Sequence, residues 1–355
     1  MTQREDPTAT TTAGTSVLYW VGTYTSDAGA LGRGVETLVA GSDVEFSPGG
    51  VAAVADSPSF LAVHPLLPVV YAVNEFAQTV SAYARDGAMA LTPLGEQWPT
   101  GDAGCHVSVD PEGRFIVVAC WGDGSVLLFD LDAQGRIVSR TEAPRATDPH
   151  ASAGVRPSRA HASLMLGDDR ILTTDLGFDL VRVWRYEPAV GLIEEQTVVL
   201  PEGSGPRHLA LHPNGRVYVD TEYSIEVVTV ESVAGTYQAT GRVPATHAPA
   251  LPGDAASEIG LSADGRFAYV GVRGSNRIGT LSIEDDGAVA AVADTDCGGD
   301  WPRHLTVRKD TLLVANEHSG NVAVFRLDEE TGIPADILQD IAIGAPTALI
   351  AAQRA

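Results

Sequence analysis

Lysine is almost absent from this chain of 355 residues: of its 23 basic residues, only Lys309 is not arginine. Any anion site must therefore be built mostly from arginine, whose planar fork suits carboxylate and phosphate. Cysteine is scarce as well. Cys105, Cys120 and Cys297 are odd in number and contain no C-x-x-C, which argues against a disulfide framework or a zinc ribbon. No apolar run approaches the roughly 18 residues of a membrane span. The stretch 1–16 is polar, holds no apolar secretion segment and reads as a disordered tail ahead of one domain over residues 17–355. Positive charge is short too: 46 acidic residues give a formal net charge of −23, which disfavours nucleic acid and anionic membrane as partners. With 44 % hydrophobic residues the chain is too apolar for an acidic disordered protein, and a cytoplasmic globular protein is expected. A monomer is compatible with this composition, which does not set an oligomeric state.

What is present is a repeat. A small residue or Pro, a short alternating strand, a turn of the D/N-G-R type, a β-rich strand, a polar turn and a third strand recur six times. Examples are Cys105 to Phe129 (CHVSVDPEGRFIVVACWGDGSVLLF) and Arg207 to Val230 (RHLALHPNGRVYVDTEYSIEVVTV). Anchored on Phe60, His106, His161, His208, Glu258 and His304, the units are spaced 46, 55, 47, 50 and 46 residues apart. That length with period-2 alternation matches four-stranded propeller blades. The segment Val17 to Asp56 reads as three strands lacking a first, and Ala345 to Ala351 as a first strand lacking the rest. Together they supply a seventh blade and remove the open sheet edges. The fold expected is an all-β, seven-bladed propeller closed by pairing of its two ends. Two stacked β-sandwiches would leave those matching ends unexplained.

In a propeller, the start of the innermost strand and the end of the second strand lie on one face near the channel. At the first offset stand Ser59, Cys105, Ala160, Arg207, Ser257, Arg303 and Thr347; one residue on come His106, His161, His208 and His304. At the second offset stand Glu75, Trp121, Leu176, Glu222, Arg273 and Glu317. Each histidine on its own reads more readily as blade packing than as chemistry, and an isolated turn carboxylate as a solvated one. Arg207, His208 and Glu222, with His161 from the preceding blade, form the sharpest cluster. Arg can hold an oxyanion, His can pass a proton, and a carboxylate can orient it or activate water. No G-x-S-x-G, phosphate-cradling loop or H-E-x-x-H is present, so other hydrolytic classes lose ground.

At these residues the chain resembles the seven-bladed propeller lactonases, a group that includes 6-phosphogluconolactonases and carboxymuconate cyclases. The resemblance rests on Thr173 to Trp184 (TTDLGFDLVRVW), Gly205 to Glu222 (GPRHLALHPNGRVYVDTE), Trp301 to Phe325 and the opening VGTYTS, and it spans Val17 to Ala352. It implies a metal-independent lactone chemistry, without cofactor, carried by His161, Arg207 and Glu222. Two places depart from the family pattern: Arg159 stands where P-H-x-H has its first His, and A-C-W-G-D-G (119–124) replaces A-N-Y-G-G-G. The expected activity is hydrolysis of an anionic sugar lactone such as 6-phosphoglucono-1,5-lactone. Arg303 and Arg273 would hold the anion as a positive funnel, with Glu75 and Glu317 also lining the substrate site. A muconate-type lactonising cycloisomerase and a non-catalytic binding propeller are the alternatives; a calcium-dependent gluconolactonase ranks last. Titration of His161 would give a limb in the pH profile between roughly 5.5 and 7.5. The long connections 143–157 and 246–256 read as surface loops or as lids over one face.

Overall fold

Each repeat folds as an antiparallel meander because its apolar residues alternate and its turns carry Asp, Asn and Gly. The computed structural model describes residues 17–352 apart from 42–43, 88 and 151–153; the expected tail 1–16 and the middle of the 143–157 connection lie outside the described residues. The chain opens with β1 (Val17–Thr23), β2 (Val35–Ala40) and β3 (Phe46–Ala53), and ends with β29 (Pro346–Ala351). These four form one sheet in the order β29-β1-β2-β3, the seventh blade expected from the sequence. The six internal units form the other blades, the first of which adds a two-residue strand at its edge.

The innermost strands are β4 (Pro58–Val63), β9 (Gly104–Val109), β13 (Ala160–Gly167), β17 (Pro206–Leu211), β21 (Ala255–Leu261), β25 (Pro302–Arg308) and β29. Each touches the next around a closed circle, and β29 touches β4. Every blade is therefore sandwiched between two others. Its second strand is buried on both faces, which is why β5 (Val69–Asn74), β10 (Phe115–Cys120) and β26 (Thr311–Asn316) are buried at all six positions. The outermost β20 (Thr236–Pro244) is instead mostly exposed. The core is accordingly a set of interblade clusters, such as Tyr71, Val118 and Phe129 between the first two blades. Removing residues 346–355 strips β1 of its inner partner and uncovers the cluster of Tyr19, Leu38, Leu313 and Leu349. The truncated chain is expected to lose roughly 10 °C or more in Tm, or to aggregate through the freed edge. A melting curve unchanged by the truncation would show that the closure does not hold the ring together.

Candidate active site

The rim of the channel is set by the backbone. Where each innermost strand begins, a carbonyl accepts the amide of the residue that follows the second strand. These bonds run from Glu75 to Ser57, Trp121 to Ala103, Leu176 to Arg159, Glu222 to Gly205, Glu317 to Trp301 and Tyr24 to Ala345, at 2.7–3.1 Å. Five of the acceptor residues, Ser57, Ala103, Gly205, Trp301 and Ala345, have left-handed backbone with φ between 39° and 68°. Such strain clusters at functional sites. At Gly205 the requirement is doubled, because a Cβ there would meet the Tyr223 ring at 2.6 Å.

Strand pairing corrects one register read from the sequence. In blade three Ala160 pairs with Asp175 and Ser163 with Thr173; in blade four Pro206 pairs with Thr221 and Leu209 with Val219. Ala160 is therefore the counterpart of Pro206, and His161 the counterpart of Arg207. The matching bonds agree: the Ala162 amide donates to Thr174 Oγ1 as the His208 amide donates to Asp220 Oδ1. His161 thus leaves the histidine ring and takes the place in the upper ring assigned above to Ala160, beside Arg207. The upper ring is Ser59, Cys105, His161, Arg207, Ser257, Arg303 and Thr347; the lower is Phe60, His106, Ala162, His208, Glu258, His304 and Ala348.

Two charged groups converge on this mouth. Glu222 Oε2 lies 3.0 Å from Arg207 Nε and 2.9 Å from Arg273 Nη2. Arg303 lies 3.3 Å from Glu317 and 3.9 Å from Glu75, and hydrogen-bonds Tyr24, whose hydroxyl donates to Glu75 at 2.9 Å. Every site residue expected from the sequence is present in one group or the other, apart from His161, which walls the cavity between Arg207 and Cys105. Tyr24 was missed, although continuing the second offset into the seventh blade reaches it. Three guanidiniums meet three carboxylates, so these side chains cancel and do not form the positive funnel expected. Burial first, then the neighbouring Arg207, lowers the Arg273 pKa to about 10.

Arg207 and His161 are left incompletely satisfied. Arg207 is 3 % exposed, yet its Nε and Nη1 have no aligned acceptor, the Glu222 contact being one of charge without hydrogen-bond alignment. His161 is 5 % exposed and its Nδ1 has no partner. Buried polar atoms of this kind call for an explanation, and a ligand oxygen is one. Burial, and next the Arg207 charge, holds the His161 pKa well below the ordinary histidine value. Its imidazole is therefore neutral, and the pH 5.5–7.5 limb expected of it is not supported. Glu222 contacts Arg207 and Arg273, not His161, so of the two roles weighed for this carboxylate, orienting His161 is not the one seen.

Below the mouth the channel is plugged. Phe60 packs tilted against His106 with centroids 4.3 Å apart and lies 5.7 Å from both His208 and His304. Glu258 Oε2 lies 3.0 Å from His208 Nδ1 and 3.5 Å from His304 Nε2. Glu258, with no role expected from the sequence, is thus the carboxylate beside the histidines, its contacts being of charge without hydrogen-bond alignment. Asp220, in β18 (Val217–Thr221), accepts the His208 amide at 2.6 Å and is raised by burial to about 7 despite Arg207 nearby. An acidic residue inside an apolar second strand is the signal that could have found it. The free cavity among these residues is about 10 Å³, on the order of one water. The channel below the upper ring is therefore too narrow to admit a six-membered ring. A cleft of about 580 Å³ between blades five and six lies at the turns of the opposite face near Asp264, Phe267 and Asp310, away from this chemistry. Among the described residues, no group of three or more His, Cys, Asp or Glu is arranged to hold a metal ion, and no helix is long and apolar enough to cross a membrane.

Comparison with known proteins agrees with this architecture. A 6-phosphogluconolactonase of Bacillus subtilis is 29% identical over 330 residues, covering 90% of this chain and 93% of that protein. One of Formosa agariphila is 28% identical over 308 residues, covering 82% and 87%. The solved structure of a periplasmic gluconolactonase of Pseudomonas aeruginosa superposes with a TM-score of 0.85 at 26% identity, covering 96% of this chain and all of that one. Residues 18–351 match the family described as "Lactonase, 7-bladed beta-propeller", and the chain belongs to that family.

Proposed function

We propose that this protein hydrolyses a sugar lactone, with 6-phosphoglucono-1,5-lactone or a close relative as substrate, in the cytoplasm and with no step assigned to a metal. The observation that carries the reading is the pair of buried, unsatisfied groups, Arg207 Nε/Nη1 and His161 Nδ1, on the walls of one cavity. The carbonyl oxygen of the lactone accepts from Arg207, whose donors are already aimed at the place where negative charge develops. The neutral His161 takes a proton from the attacking water. It then returns that proton to the ring oxygen as the acyl C–O bond breaks, leaving a hydroxy acid. Glu222, between Arg207 and Arg273, balances the charge of both guanidiniums. Arg303 with Glu75, Glu317 and Tyr24 offers alternating donors and acceptors to the hydroxyls of the ring. The relatives named 6-phosphogluconolactonase support the substrate class. The three free, buried cysteines fit a reducing compartment.

Arg207→Ala is expected to lower kcat on phosphorylated and free aldonolactones by about 10²-fold, the usual cost of one oxyanion donor. Arg207→Lys, which keeps the charge without the fork, should recover part of it. The assay follows acid release with spontaneous hydrolysis subtracted, and cis,cis-muconate in the same panel detects ring closure. Unchanged turnover in Arg207→Ala would remove Arg207 from the reaction.

A further inference from the structure

Arg159 is the only charged residue at its position in the ring of blades; its six counterparts are Ser57, Ala103, Gly205, Ala255, Trp301 and Ala345. Its guanidinium lies over the Trp121 indole, 3.9 Å from the ring centroid. Nη1 donates to the carbonyls of Trp121 and Gly122, each at 3.0 Å. These contacts fix the plane of the group and leave Nε and Nη2 without an acceptor among the described residues. Arg159 and Trp121, one from each stretch that departs from the family pattern, are thus one physical unit built across two blades.

Among the described residues no carboxylate forms an ion pair with that cation. Asp175, the acid nearest in its blade, receives the Arg159, Gly177 and Phe178 amides and the Ser158 hydroxyl, so it shapes the loop and leaves the guanidinium alone. Arg207, Arg273 and Arg303 each face a carboxylate. The unit stands at the rim of the lactone site: the Arg159 carbonyl accepts the Leu176 amide as one of the rim bonds, two residues before His161. We propose that Arg159, clamped on Trp121, is the subsite for a phosphate monoester carried by the substrate away from its lactone carbonyl. The free Nε/Nη2 edge presents parallel donors to two phosphate oxygens. The indole holds the plane of the fork, so little freedom is lost on binding. The inference rests on the lactonase reading and names the residue that selects for phosphorylated lactones.

The test is the ratio of kcat/KM for 6-phosphoglucono-1,5-lactone to that for glucono-1,5-lactone. Arg159→Gln is expected to lower this ratio roughly 10- to 100-fold, mainly through KM for the phosphorylated substrate, as for loss of charged hydrogen bonds. Arg159→Lys should lower it less, and Trp121→Ala should lower it by loosening the clamp. An unchanged ratio, or equal losses on both lactones, would overturn the proposal. Titration with inorganic phosphate, followed by tryptophan fluorescence, separates it from the reading it rests on. If the wild-type protein opens neither lactone, the lactonase reading fails. Arg159 is then judged on phosphate alone: binding lost in Arg159→Gln supports the subsite, and binding absent from wild type or unchanged in the variant overturns it.

Discussion

His161→Asn is expected to reduce lactone turnover by about 10²- to 10⁴-fold, the range that general acid–base groups supply. Asn keeps a polar group against Arg207 but has no nitrogen that can take up and return a proton. The loss should fall on kcat more than on KM, because His161 acts on the water and not on the resting substrate. The pH profile tests the same point. Burial and the Arg207 charge depress the affinity of His161 for a proton, so the base form is fully present above about pH 6.5 and lasts well below it. The wild-type rate, corrected for spontaneous hydrolysis, should therefore show no His161 limb between roughly 5.5 and 7.5. A limb near 7 that persists in His161→Asn belongs to Asp220, the buried carboxyl raised to about 7, and Asp220→Asn should abolish it. Near-full corrected activity in His161→Asn would return that residue to a packing role.

Acidification should unfold the protein earlier than is usual for a closed propeller. His106, His161 and His208 are held well below the ordinary histidine value and His304 at about 4, in each case by burial above all. The sign follows directly. Below about pH 6.5 the unfolded chain protonates these four while the folded one does not, so stability falls as pH falls. Each contributes up to about 1.4 kcal/mol per pH unit. Asp220 and Glu258 act in the opposite sense, because burial raises both and the folded state takes their protons first. Four histidines outnumber these two carboxyls, so stability falls on balance as the pH is lowered from about 6.5 towards 5. Urea midpoints at half-unit intervals measure it, and a midpoint flat from pH 6.5 to 5 would refute it. His106→Phe, placed beside Phe60 in the plug, should make the dependence shallower by about one proton.

The blades and their closure were legible in the chain itself. Period-2 alternation and D/N-G-R turns are local properties, and the unmatched strands at the two ends required each other. The second offset was legible for the same reason: a residue that follows a strand is placed by that strand, so Glu75, Glu222, Arg273 and Glu317 all reached the mouth. What the chain could not display was pairing across strands. His161 lined up with the other histidines by letter, yet its strand pairs one residue further along, and that single step moved it from the plug to the side of Arg207. Charge balance was equally hidden, because Arg303 of the sixth blade meets Tyr24 of the seventh and Glu75 of the first only once the ring is closed. Local patterning therefore determined the seven-bladed architecture and the set of residues facing the channel. Tertiary structure alone decided which of them touch and which carry an unbalanced charge, because pairs such as Arg273 with Glu222 and Arg303 with Glu75 join different blades, and which are stripped of water, because burial depends on how neighbouring blades pack.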